Sequence, residues 1–303
     1  MNSRLKSLAI WGGRAVLLVA LGFIAVQIRS HWTGLSSWRP DSTDAALLGA
    51  LSLAYFASLM FVVEGWHRIV ALYSAEPRSR TYPSFTMTQI AKYIPGNVAH
   101  LLGRGLYLRS SSLSDGQIVK ATLVELAAIP AGAVTVIAVL GSAGLLSPLL
   151  PWLPSWLWVL LAPGLVLGVL AALVLAPRLG LVPQSSTSGL LVIGTLSTVF
   201  MALLGLIFAA VFSLLAAAPI APLAGAAVIA WLVGYLTPGA PGGLGTREAA
   251  LVALLWSLNQ EDAVLIAAAL FRIVTTLGDV LLFSVGWLVF SGGTARDEAS
   301  SSH

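Results

Sequence analysis

The chain contains no cysteine and unusually few charged residues. The lack of cysteine excludes disulfides, thiolate metal sites and cysteine nucleophiles. Only 9% of the 303 residues are charged, whereas a soluble domain carries about 25%. Hydrophobic residues make up 58% of the chain, and the mean hydropathy is +0.92. This composition is typical of a polytopic membrane protein, which we expect to be all-α.

Patterns that would indicate catalysis or nucleotide binding are also lacking. The histidines at positions 31, 67, 100 and 303 have no zinc-ligand spacing, and no paired-carboxylate motif or P-loop occurs. The net charge is +4, but lysine and arginine stand at the ends of apolar segments rather than in one patch. The sequence therefore favours a protein that is not an enzyme, with no cofactor, no metal and no nucleic-acid partner.

Six apolar segments are long enough to span a membrane. They are residues 8–28, 45–63, 118–140, 156–176, 190–217 and 263–290. Lysine and arginine concentrate on one side of these segments, which places both termini in the cytoplasm of a bacterial inner membrane. We assign 1–291 to a single transmembrane domain and 292–303 to a disordered cytoplasmic tail.

Two further apolar stretches, 85–108 and 222–258, are interrupted by Pro-Gly. These residues cannot continue a helix, and in a membrane the freed backbone groups need partners within the protein. We interpret both stretches as re-entrant helical hairpins, and an ordinary surface loop is the alternative for the second. The hairpin breaks consist of Pro95, Gly96 and Asn97, and of Pro238, Gly239, Pro241, Gly242, Gly243 and Gly245.

The two breaks have related surroundings, which suggests an inverted repeat. Lys92-Tyr93-Ile94-Pro95-Gly96 precedes Arg104, and Tyr235-Leu236-Thr237-Pro238-Gly239 precedes Arg247. The arginine lies nine residues after the proline in both cases. With the predicted topology the hairpins enter from opposite sides, as in many transporters. A coincidental Pro-Gly pair is the alternative.

The second break leads into a predicted anion site. Thr246 is expected to be the N-cap of the following helix, with Glu248 in its first turn. The positive end of the helix dipole and Arg247 would then lie together. Such a helix start favours the binding of an anionic group.

Ionisable residues at membrane depth are costly and therefore usually paired or functional. Arg272 and Asp279 share a helix face but lie about 10 Å apart along the axis, too far to satisfy one another well. We expect a substrate to bind between the two hairpins, at Arg104, Glu125, Arg247, Arg272 and Asp279. The alternative is structural: Arg272 pairs with Glu125 or Asp279, and Arg104 is a cytoplasmic anchor.

The two break motifs resemble a known family. The segment from Pro238 to Ala249, PGAPGGLGTREA, together with Tyr93-Ile94-Pro95-Gly96 and Arg104, is similar to the lysylphosphatidylglycerol synthase transmembrane-region family over about residues 8–290. In the multiple peptide resistance factor this membrane module is the lipid flippase portion, and a separate domain is the aminoacyl transferase. Thr246 departs from the family pattern, in which an aliphatic residue is common. The resemblance implies a module that moves or binds a lipid head group, without synthesis of lysylphosphatidylglycerol.

From these observations we expect an inner-membrane lipid translocase, a flippase that binds an anionic lipid or a polyprenyl-linked head group in a central cavity. Glu125 and Asp279 are the candidates for coupling transport to an ion gradient. Two alternatives remain open. One is an integral-membrane transferase that uses Glu125 or Asp279 as a base, and the other is a non-transporting partner subunit of a lipid-pathway enzyme.

Overall fold

The computed structural model describes residues 39–93, 99–109, 111–149, 154–184, 186–237, 245–258 and 260–290. The predictions for the span 8–28, the tail 292–303 and the side of both termini lie outside these ranges. We call residues 94–98 the first break and residues 238–244 the second break. Pro95, Gly96, Asn97, Pro238, Gly239, Pro241, Gly242 and Gly243 belong to these breaks and also lie outside the described residues.

The described residues are helical and contain no β-strand. The α-helices are α1 Ser42–Ala71, α2 Arg78–Thr86, α3 Ala99–Leu108, α4 Asp115–Ser142, α5 Ser155–Arg178, α6 Thr187–Ser213, α7 Ile220–Leu236, α8 Thr246–Leu255 and α9 Glu261–Phe290. Short 3₁₀ helices occupy Gln89–Tyr93, Ser147–Leu149 and Trp256–Leu258.

Four of these helices, α1, α4, α6 and α9, are long and apolar enough to cross a membrane. They correspond to four of the six predicted spans, so the prediction of an all-α membrane protein is confirmed. The apolar part Pro163–Arg178 of α5 and the helix α7 are shorter. The total of six spans and the inverted repeat therefore stay predictions.

Helix ends follow local side-chain chemistry. Asp41 and Asp44 form a capping box at the start of α1, and Ser114 and Gln117 form one at the start of α4. Each box satisfies backbone N–H groups that have no partner within the helix. The predicted span 190–217 was too long, because α6 ends at Ser213.

The first arm of the first predicted hairpin is not one helix. It begins at Arg78 rather than residue 85 and consists of α2 followed by the 3₁₀ helix Gln89–Tyr93. The Thr88 hydroxyl donates a hydrogen bond of 2.6 Å to the Ser84 carbonyl. A side chain that competes for backbone carbonyls in this way favours a bend in the helix. In the second predicted hairpin, α7 and α8 pack against each other on either side of the second break.

Helix α6 lies at the centre of the fold, in contact with α1, α4, α7 and α9. The approach of α4 depends on Gly132, because a Cβ atom there would lie 2.5 Å from the backbone carbon of Ser197. Backbone atoms cannot move aside as the end of a flexible side chain can. The small residue therefore sets the distance between these two spans.

We predict that Gly132→Ala lowers the stability of the protein by about 1–3 kcal/mol, the usual cost of overpacking. Thermal unfolding of the detergent-solubilised chain measures this. Gly194→Ala is the matched control, because a Cβ at that position meets no atom within 4 Å. Equal unfolding temperatures for the two variants would contradict the proposed contact.

Glu76 joins the connection between α1 and α2 to the segment that precedes α4. Its buried carboxylate accepts hydrogen bonds from the Ser112 hydroxyl at 2.7 Å, the Ser112 N–H at 2.9 Å and Arg80 at 3.1 Å. The Ser112 hydroxyl is the main cause of a lowered pKa for Glu76, assisted by the Ser112 N–H and Arg80 against the opposite effect of burial. The ionised carboxylate is therefore the stabilising form.

This lowered pKa predicts an acid-dependent loss of stability. The unfolded chain has a glutamate pKa of about 4.3, so the contribution of Glu76 is complete above that pH and disappears as the pH falls through the lower folded-state pKa. Glu76→Gln should unfold at a lower temperature than the wild type at neutral pH, and the difference should narrow in acid. Glu261→Gln, at an exposed position, is the control. A constant difference across this pH range would contradict the prediction.

Candidate functional site

Three ion pairs connect the segments beside the two breaks to the long helices in the described part of the chain. Arg104 of α3 pairs with Glu125 of α4. Glu248 of α8 pairs with Arg272 of α9, and Lys92 pairs with Asp279 of α9. Each pair joins a residue near a break to one on a long helix, so the charges position the break segments within an apolar protein.

Arg104 is held on several sides. Besides its ion pair with Glu125, its guanidinium donates a hydrogen bond to the Gln89 side chain. The guanidinium carbon also lies 3.7 Å from the ring centroid of Phe85 and 5.5 Å from that of Trp66. Cation–π contacts of this kind favour a buried guanidinium. Arg104 is 1% exposed, so its side chain lies inside the protein rather than on its surface.

Helix α8 begins directly after the second break. Its N-cap is Gly245, with φ of +75°, and Thr246 is the first helical residue. The prediction that Thr246 is the N-cap is therefore wrong by one position. Glycine accepts positive φ at little cost, which explains why the turn into the helix occurs there. Glu248 lies in the first turn of α8, as predicted.

Glu248 forms an ion pair in addition to its place in the first turn of α8. Its Oε1 accepts a hydrogen bond of 2.8 Å from Arg272 Nε, and both side chains are buried. The structural alternative was a pair of Arg272 with Glu125 or Asp279. The structure shows a pair of Arg272 with Glu248 instead. The prediction that Arg272 and Asp279 do not satisfy one another is consistent with this, because each has a different partner.

Arg247 differs from the other cations of the site. No ion pair or hydrogen bond to Arg247 occurs among the described residues, and its buried Nε has no partner there. Its guanidinium carbon lies 5.6 Å from the ring centroid of Trp231, which stacks in turn on Tyr235 at 5.1 Å. A Cβ at Gly234 would lie 2.5 Å from Arg247 Cγ. Arg247 therefore packs against the backbone of α7 and has no directly bonded carboxylate among the described residues.

Asp279 is the most deeply buried charge of the site. The side chain is 0% exposed. Its Oδ2 accepts hydrogen bonds from Lys92 Nζ at 2.7 Å and from the Tyr93 hydroxyl at 2.6 Å. Lys92 and Tyr93 were not among the predicted site residues. Their position directly before the first break, with a lysine inside an apolar stretch, was the available signal.

Among the described residues, the charges of the site fall into two groups. Asp279, Arg247 and Arg272 all lie within Coulombic range of Tyr55, whereas Arg104 and Glu125 form a separate pair beside α3 and α4. A cavity of about 20 Å³ is lined by Trp231, Arg247, Glu248 and Arg272, among others. That volume holds about one water molecule and is too small for a lipid head group.

Comparison of the chain with models of protein families and with curated proteins finds no match. The resemblance to the lysylphosphatidylglycerol synthase transmembrane-region family therefore rests on the break motifs in the sequence.

We predict that Glu125→Gln destabilises the protein by about 3–5 kcal/mol, because it leaves the Arg104 charge buried without a counter-ion. Thermal or denaturant unfolding of the purified chain measures this. The matched control is Asp115→Asn, which breaks an exposed pair with Arg109 and should cost about 1 kcal/mol or less. Replacement of both Arg104 and Glu125 by apolar residues should recover most of the loss. A similar effect for the two single variants would contradict the assignment.

Proposed function

We propose that this protein is a lipid translocase that binds an anionic lipid head group beside the second break. The head group would contact Arg247 between α7, α8 and α9, and the acyl chains would remain in the membrane. The observation that carries this proposal is that Arg247, unlike Lys92, Arg104 and Arg272, has no carboxylate ion pair among the described residues.

A count of the charges supports an anionic ligand. Lys92, Arg104 and Arg272 each have a carboxylate partner in Asp279, Glu125 and Glu248. Arg247 is the cation left over in this set within the described residues. A positive charge held in apolar surroundings is costly unless it is paired. A phosphate or carboxylate would supply the missing partner, and guanidinium groups bind such anions through two parallel hydrogen bonds.

The location of Arg247 also suits a transport site. It lies in the first turn of α8, where N–H groups and the helix dipole favour an anion. The cavity beside it holds about one water molecule, so a head group would enter only if α8 moved relative to α7 and α9.

The outer surfaces of these helices are suited to lipid tails. Large apolar residues are exposed on α7 and just after α8, including Val233, Leu236 and Trp256. A polar head group at Arg247 and tails along such residues would be the arrangement needed for movement of a lipid along the protein. The flippase role of the similar membrane module in the multiple peptide resistance factor agrees with this proposal.

We predict that Arg247→Ala reduces retention of an anionic lipid about tenfold or more, because hydrogen bonds to a charged group contribute about 1.5–3 kcal/mol. Native mass spectrometry of gently extracted protein measures the retained lipids, and fluorescent phosphatidylglycerol in vesicles measures translocation. Both signals should fall in Arg247→Ala and recover in part in Arg247→Lys.

Arg178→Ala is the control, because Arg178 is an exposed arginine at the end of α5. Equal lipid retention by wild type and Arg247→Ala would contradict the site. Turnover of a labelled lipid-linked donor by the purified chain would instead favour the transferase alternative. A stable protein partner, with no lipid movement in its absence, would favour the partner-subunit alternative.

A further inference from the structure

The cavity of about 20 Å³ between α7, α8 and α9 is lined by two residues that each have a buried polar atom without a hydrogen-bond partner in the described part of the chain. One atom is the donor Arg247 Nε. The other is the acceptor Glu248 Oε2, the carboxylate oxygen that does not bond to Arg272 Nε. Buried polar atoms are normally satisfied, so a donor and an acceptor on one cavity call for a shared ligand.

The cavity distinguishes Glu248 from the other buried acids. Glu125 and Asp279 also have a carboxylate oxygen without a partner among the described residues, but neither residue lines this cavity. Most of the residues that line it are apolar. Glu248 is 7% exposed, so bulk water does not satisfy its second oxygen. The position beside Arg247 and Glu248 is therefore a polar site with room for a ligand, enclosed by apolar side chains.

We propose that this cavity binds one water molecule between Arg247 and Glu248, and that a head group replaces this water only if it carries a hydrogen-bond donor as well as an anionic oxygen. The water accepts a hydrogen bond from Nε and donates one to Oε2. A cavity holds a water when it offers about 10–15 Å³ or more and at least two polar partners. This cavity, at about 20 Å³, meets both conditions. Glu248 thus serves Arg272 directly and Arg247 through the water.

The requirement on the head group rests on the proposed function, whereas the water site stands on the cavity alone. An anionic oxygen can replace the water as the acceptor for Arg247 Nε, but it has no hydrogen to donate to Glu248 Oε2. The buried carboxylate is then left unsatisfied beside a second negative charge. Displacement of a water by a group that cannot reproduce its hydrogen bonds lowers affinity. The site therefore favours a phosphate whose head group also has a donor, such as a hydroxyl group, over a phosphate without one.

A high-resolution structure of the full chain without added lipid tests the water site. Density for one water is expected within hydrogen-bond distance of both Arg247 Nε and Glu248 Oε2, about 2.7–3.2 Å from each. The data must show ordered waters elsewhere in the protein interior, which is the internal control. A cavity without density in such a map would overturn the water site.

Two lipids of equal charge test the requirement for a donor. Phosphatidylglycerol and phosphatidylpropanol are phosphodiesters with the same charge and the same number of head-group carbons, and they differ in the hydroxyl groups. Native mass spectrometry should show that the wild-type chain retains phosphatidylglycerol about tenfold better, because the other lipid leaves Glu248 without a hydrogen bond. Glu248→Gln combined with Arg272→Gln removes both charges of the pair. The preference should narrow in this variant, since an amide can donate to an anionic oxygen.

The outcomes separate this inference from the proposed function. Equal retention of both lipids by the wild type, with loss of both in Arg247→Ala, would overturn the donor requirement and leave the proposed function intact. Retention of neither lipid above zwitterionic phosphatidylcholine would contradict the proposed function and the donor requirement together, and the water density would still decide the water site. An unchanged preference in the folded double variant would overturn the role of Glu248. The comparison of the two lipids on the wild type needs no variant, so it serves if the double variant does not fold.

Discussion

The requirement that a buried charge has a partner determines how this protein is organised around its two breaks. Helix α9 contains both Arg272 and Asp279, two turns apart on one face. Arg272 holds α8 through Glu248, and Asp279 holds the segment before the first break through Lys92. A single long helix thus positions both segments. Beside the first break, α3 is held in addition by the pair of Arg104 with Glu125 on α4.

Stability alone does not explain why such pairs are present. Well-packed apolar residues of similar volume are often as stabilising as a buried ion pair, whereas loss of one partner is strongly destabilising. A charge pair differs from an apolar contact because one charged group can be replaced by another group of the same sign. For Arg272 and Lys92 this partner is a carboxylate of the protein. For Arg247 it is, in the proposed function, the ligand. The pairs are therefore suited to a protein that changes its contacts.

The sequence predicted the long helices well and the pairings poorly. Length and apolarity decide the spans, so α4 and α9 lie within three residues of their predicted bounds, whereas α1 continues eight residues beyond its predicted end, to Ala71. The partner of Arg104 depends on how α3 and α4 face each other, which no local pattern records. Lys92 was missed because a single lysine beside Pro-Gly is also common at a membrane surface. Thr246 was misplaced because a threonine is a good N-cap, but the positive φ of Gly245 fixed the turn one residue earlier.

The helix after each break forms an ion pair with the long helix that follows it, but the acidic and basic partners are exchanged between the two cases. After the first break, α3 provides the cation Arg104 to the acid Glu125 on the next span, α4. After the second, α8 provides the acid Glu248 to the cation Arg272 on the next span, α9. The arginine that corresponds to Arg104 by its distance from the proline is Arg247, and it has no carboxylate partner in the described residues. In the proposed function, it is this difference in pairing, rather than the shared Pro-Gly motif, that distinguishes the second break as the place for an anion.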